Sequence, residues 1–380
     1  MKMIDRLTGT AASLAVLHTG GLGCGDDDQH PPATADSGPH AGAPATRSDG
    51  GMGDGSVRAV DAGDAGDAGD AGYAVHNPLP VLDGGPIAQE PIDAPVADDC
   101  ITDVSAGDHT FTCSGLTFLV MVDQRCTEFA CGLIFDVHGG TMSGKQMRDN
   151  THLHELAPPK GYLVVHPSAT PENTNGTWDL QVDPPKLDDF MTRMIAAFHV
   201  DRDRIHVTGF SQGSGMTFWF LCNRNELLAS AAPISGASAD QVTVVDTGDP
   251  CLGAIDASWS PRVPILFMSG TRDTALTIDL ARERVDGLVS RLDLTASGEV
   301  EGDGHYSRKR WQGDDGMVLD FIEHDYGGQA ILDGHCVPGG TDIAGSANNF
   351  GPNATTCTDG DIKLNWGEVA LQWFMEHPRR

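Results

Sequence analysis

Arg204-Ile205-His206-Val207-Thr208-Gly209-Phe210-Ser211-Gln212-Gly213 sets the reading of the whole chain. An apolar, β-branched run of strand length enters a serine flanked by glycines. The residues that follow at once, with apolar Met216, Phe218, Trp219 and Leu221, suit a helix. Strand, sharp turn and helix together form the setting in which a G-x-S-x-G serine is held with its hydroxyl exposed, and the turn is too tight for side chains at its glycine positions. A serine hydroxyl is a weak nucleophile at neutral pH. A base, and a group that orients the base, must therefore come from elsewhere in the chain.

Outward from this stretch, short apolar runs bounded by glycine, proline and charge recur at Leu116 to Val122, Leu133 to His138, Tyr162 to His166, Ala229 to Ile234, Val263 to Ser269 and Met317 to His324. Helical patterns lie between or after them, at Leu187 to Phe198, Ser214 to Asn223, Leu276 to Leu292 and Trp366 to His377. Alternating strands and helices imply an α/β fold with a mostly parallel central sheet covered by helices on both faces. In such sheets, chemistry gathers at the carboxyl ends of the strands.

Three segments meet that expectation. Leu133 to Val137 runs into His138-Gly139-Gly140-Thr141, a loop of the kind that supplies one backbone N–H to an oxyanion hole. The other donor is the residue after the nucleophile, Gln212. Gly140 and Thr141 are thus candidate oxyanion residues, while His138 reads as a structural group holding the loop by a hydrogen bond. Asp273, on the loop after Val263 to Ser269, is the candidate acid, and Asp279 competes from inside the following helix. Two Asp-Gly-His triplets offer a base, at residues 303–305 and 333–335. His335 follows the last apolar strand and gives the chain order Ser, Asp, His, whereas His305 precedes that strand.

The 380 residues carry 54 acidic and 24 basic side chains, a formal charge of −30. That balance speaks against nucleic acid as a partner. No run of about 18 apolar residues appears, so no segment reads as a membrane-spanning helix. Residues 1–24 are expected to be an export signal closing on Gly21-Leu22-Gly23-Cys24, with Cys24 the candidate lipidation site and membrane attachment through that lipid; plain secretion is the alternative. Residues 25–99, rich in Gly, Ala, Asp and Pro, are expected to be a disordered tether, and 100–380 the catalytic domain.

Beyond Cys24, the eight remaining cysteines read as a disulfide framework, paired by proximity as 100–113, 126–131, 222–251 and 336–357. No metal site is expected. There are no two CxxC pairs, and His152-Leu153-His154-Glu155 reads as a surface segment.

Phe135-Asp136-Val137-His138-Gly139-Gly140, Gly176-Thr177-Trp178-Asp179, the run from Asp201 to Gly213, Ser269-Gly270-Thr271-Arg272-Asp273 and Gly334-His335-Cys336-Val337-Pro338-Gly339 together resemble a family: exported α/β-hydrolase esterases of the polyhydroxybutyrate depolymerase and feruloyl esterase type. The resemblance implies the α/β-hydrolase fold and an ester substrate, cleaved through an acyl-enzyme without metal or organic cofactor. It also implies Ser211, His335 and Asp273 as the triad. Trp178 is expected either to line the substrate pocket or to sit in the core. Val337 takes the pocket position where members commonly carry tryptophan, which speaks against an aromatic platform and, with no polymer-binding module after the closing helix, favours soluble esters over crystalline polymer. A serine peptidase of the same fold and an inactive surface binding protein are the competing readings.

Overall fold

The computed structural model describes residues 90–169, 176–236, 255–328, 333–339, 356–357 and 362–379. The expected leader, Cys24 and the tether up to residue 89 lie outside the described residues.

The described strands are β1 (Gly107–Cys113), β2 (Leu116–Val122), β3 (Gly132–Val137), β4 (Tyr162–Ser168), β5 (Ile205–Phe210), β6 (Ser230–Ile234), β7 (Ile265–Gly270), β8 (Thr295–Gly302), β9 (Tyr306–Gln312) and β10 (Val318–His324). They form one sheet in the order β1-β2-β4-β3-β5-β6-β7-β10-β9-β8. Pairings from β4 across to β10 are parallel, and those at both margins are antiparallel. β3, β5, β6 and β7 are buried at every position, as expected for strands covered on both faces. The chain lays down β3, moves outward to β4, then crosses back to β5 on the other side of β3. That reversal opens a crevice at the carboxyl ends of β3 and β5. This strand order, with a helix springing from the serine turn after β5, is the α/β-hydrolase fold.

Helices cover both faces: α1 (Gly144–Thr151), α2 (Leu153–Leu156), α3 (Pro184–Ala197), α4 (Gln212–Asn223), α5 (Ile278–Arg291) and α6 (Trp366–Glu376). Because side chains alternate along a strand, β7 sends Ile265 and Phe267 into one core and Leu266 and Met268 into the other. The first core takes Phe190 of α3, Phe218 and Phe220 of α4 and Val285 of α5. Met147, Leu153, Trp366, Trp373 and Phe374 from α1, α2 and α6 fill the second. Each such side chain, fully buried, contributes about 1.5–3 kcal/mol.

Three findings depart from the sequence reading. Residues 90–99, assigned to the tether by composition, are bonded to the domain: Ala130 N donates to the Glu90 carbonyl (2.8 Å), Val96 N to the Ala197 carbonyl (2.9 Å), and Arg193 pairs with Asp98 and Asp99. Composition does not register backbone pairing. Second, β1, β8 and β9 carry no long apolar run; β8 is exposed almost throughout, and β9 is charged because Arg308 and Arg310 reach the buried Asp320. Third, 152–155 is no surface segment. Leu153 is fully buried in the second core and His152 nearly so, since α2 packs beneath α6.

Disulfides join Cys100 to Cys113, Cys126 to Cys131 and Cys336 to Cys357, as proximity suggested. Cys222 is also disulfide-bonded, and its expected partner Cys251 lies outside the described residues.

Candidate active site

Ser211 caps the N-terminus of α4 with φ 55° and ψ −113°, a positive-φ backbone conformation that a serine adopts only under constraint. The constraint comes from both sides. Ser211 N donates to the Ile234 carbonyl of β6 (2.9 Å), and Gly215 N donates to the Ser211 carbonyl (3.2 Å) as α4 begins. Gly213 sits against β3 so closely that a Cβ would run into the Val137 carbonyl. A larger residue at 213 would therefore push α4 off the sheet and release the turn. Ser211 is half-buried.

The loop after β3 is held by a buried lock. His138 is fully buried, and burial pulls its imidazole down to about 4, so it is neutral at pH 7. Its Nδ1 donates to the Gly139 carbonyl (2.6 Å) and its Nε2 accepts from Ala169 N (3.1 Å). Trp178 stacks on this ring with centroids 4.5 Å apart and donates from Nε1 to the His138 carbonyl (2.8 Å). Trp178 N donates to Gln212 Oε1 (3.1 Å), and that amide lies against Gly140. One network thus ties the 138–141 loop to the first residue of α4. Thr141 follows with φ 62°.

Asp273 lies beyond the end of β7 and His335 beyond β10, its parallel neighbour. His335 Nδ1 donates to Asp273 Oδ2 at 2.7 Å; the carboxylate is fully buried and the imidazole nearly so. Asp273 Oδ1 accepts from Ala275 N and Leu276 N, both at 2.8 Å, which fixes the carboxylate. With Nδ1 carrying the proton, Nε2 presents a lone pair. The ring packs on Phe210, the residue before Ser211, with centroids 4.8 Å apart.

The competing residues stand elsewhere. His305 is half exposed and bonded to Asp325 Oδ1 (3.0 Å), and Asp279 is exposed on α5 beside Arg282. Trp178 is 3% exposed and Val337 fully buried; Val337 lies in the second core and pairs with Thr356. Sequence reasoning missed the tie through the Gln212 side chain. The Gly176-Thr177-Trp178 run, a bulky indole two residues after a turn glycine, was its available signal. Among the described residues, no group of three or more His, Cys, Asp or Glu is arranged to hold a metal ion.

No family model matches the chain. Among curated proteins, the bifunctional acetylxylan esterase/xylanase XynS20E of Neocallimastix patriciarum is 27% identical over 147 residues, 38% of this chain. The chain spans 19% of that relative's length. Among solved structures, it is similar to an acetyl xylan esterase from Aspergillus awamori (18% identity, 57% of this chain and 93% of that one, TM-score 0.47). It is also similar to a dienelactone hydrolase from Anabaena variabilis (13% identity, 72% and 99%, TM-score 0.41).

Proposed function

We propose that this chain is a serine hydrolase of carboxylic esters, working through an acyl-enzyme with Ser211 as nucleophile, His335 as general base and acid, and Asp273 as the group that orients the imidazole. The observation that carries the reading is the 2.7 Å bond between buried Asp273 and His335, whose ring rests on the residue preceding a serine held at φ 55°. In the reaction, a Ser211 oxygen lone pair adds to the ester carbonyl carbon as His335 Nε2 takes the hydroxyl proton. The developing oxyanion is received by N–H groups of Gln212 and the Gly140–Thr141 segment, one such donor lowering the barrier by about 3 kcal/mol. Collapse breaks the bond to the alkoxy oxygen, and the imidazolium returns the proton to the leaving alcohol. Water then repeats the sequence on the acyl-enzyme.

The substrates we assign are soluble short-chain esters. The relative named above makes acetyl esters of saccharides the first arm of a panel, with hydroxyalkanoate oligomers and feruloyl esters, the substrates of the resembled family, as further arms. We also propose export. Disulfides among the described residues support an oxidising compartment, and lipid attachment at Cys24 is the proposed anchor.

Ser211→Ala should abolish turnover of a short-chain aryl ester and covalent labelling by a fluorophosphonate, with the fold unchanged by circular dichroism. Retained turnover would refute the assignment. Equal cleavage of an aminoacyl amide and its ester would favour a peptidase, and absent labelling of the parent protein an inactive one.

A further inference from the structure

The loops bearing the acid and the imidazole are joined by more than the Asp273–His335 bond. Arg272 immediately precedes the acid, and Asp333 stands two residues before the imidazole. The Arg272 guanidinium donates from Nε (3.0 Å) and Nη2 (2.8 Å) to Asp333 Oδ2, and from Nη1 to the Asp325 carbonyl (3.3 Å). One side chain thereby ties the loop after β7 to the residues that follow β10 and to the imidazole loop. Thr274 N adds a bond to the Asp333 carbonyl (3.2 Å). The Asp-Gly-His triplet left without a catalytic part joins the same rim: His305 Nδ1 meets Asp325 Oδ1 (3.0 Å), and Asp325 N donates to the His305 carbonyl (2.9 Å).

Between Asp333 and His335 lies Gly334, at φ 77° and pressed onto the Arg272–Asp273 peptide, where a Cβ would collide with backbone. The close approach demands glycine, yet glycine is also the most flexible residue that could precede the imidazole. Something outside the glycine must take up that freedom. A forked guanidinium gripping a carboxylate one residue upstream does so with more directional control than a point charge.

We infer that Arg272 is a positioning residue: by holding Asp333 it sets where His335 stands against Asp273 and, on the ester-hydrolase reading above, how the base is aimed at Ser211. The pair's side chains are 45% and 33% exposed, so it adds little to stability, whereas a small displacement of a base costs rate steeply.

The test uses the full chain with Arg272→Met, Arg272→Lys and Asp333→Asn. Two readouts are followed: kcat and KM on a short-chain aryl ester, and the low-field proton NMR signal of the His335 Nδ1–H bridged to Asp273. The signal is assigned by its loss in Asp273→Asn and its persistence in His305→Gln. For Arg272→Met and Asp333→Asn we expect kcat to fall about tenfold to a hundredfold with KM nearly unchanged, and the low-field signal to broaden or shift. Melting temperature should move by only about 2–4 °C or less. Arg272→Lys should recover part of kcat and part of the signal. Wild-type kcat together with an unperturbed signal in Arg272→Met would overturn the inference, as would a kcat loss accounted for by unfolding. If the parent protein hydrolyses no ester, the functional reading falls, while the proton signal still decides whether Arg272 positions His335.

Discussion

Replacing Trp178 by phenylalanine keeps a ring against His138 and deletes the indole N–H that donates to the His138 carbonyl at 2.8 Å. A buried acceptor that loses its donor costs about 1–3 kcal/mol, and the smaller ring adds about 1 kcal/mol through the space it leaves. In a domain of this size, the melting temperature should drop by roughly 5–10 °C. The effect on rate follows from the same lock. The 138–141 loop is tied to Gln212 through Trp178, so on the proposed reading loosening it moves the backbone donors away from the oxyanion. If about half of one donor's contribution is lost, kcat falls roughly fivefold to thirtyfold, with KM within about twofold because the interaction belongs to the transition state. Steady-state kinetics on an aryl ester, alongside a thermal melt, checks both numbers. A destabilised variant with full kcat would refute the coupling of indole to oxyanion loop and leave Trp178 as ordinary core.

Two further predictions concern stability. His138 is held down to about 4, and burial pushes His206, stacked on Phe374, well below the ordinary imidazole range. Unfolded histidines take up a proton near 6.5. Between that value and about 4 the unfolded chain binds more protons, so stability falls as pH falls through the window. His138 alone accounts for about 3 kcal/mol; urea midpoints at pH 7 and pH 4.5 that coincide would contradict it. The Cys336–Cys357 bridge, with a separation of 21 residues, begins beside His335. Replacing both cysteines by alanine should cost about 3 kcal/mol and lower kcat more than loss of Cys126–Cys131, compared by melts and kinetics on the two double variants.

Much of this site was legible in one dimension. β5, the serine turn and α4 are contiguous, and their apolar pattern and glycines predict strand, turn and helix without reference to the rest of the molecule. The central strands were equally readable, because burial on both faces demands unbroken apolar runs. β8 and β9 were not: β8 is solvent-exposed, and the charges of β9 are satisfied by Asp320 on a neighbouring strand. Residues 90–99 escaped for a related reason. Their order comes from backbone hydrogen bonds and an arginine far along the chain, to which composition is blind.

The candidate nucleophile and acid each follow closely on a strand, and the chain order Ser, Asp, His favours His335 over His305 as the base. That His335 and Asp273 meet in space is another matter. The two residues are 62 positions apart, and β10 lies beside β7 only because the sheet is ordered so. The side-chain contacts of Trp178, Gln212 and Arg272 likewise run across loops, where no local propensity encodes them. Short-range conformational preference selects elements; the packing of those elements selects partners.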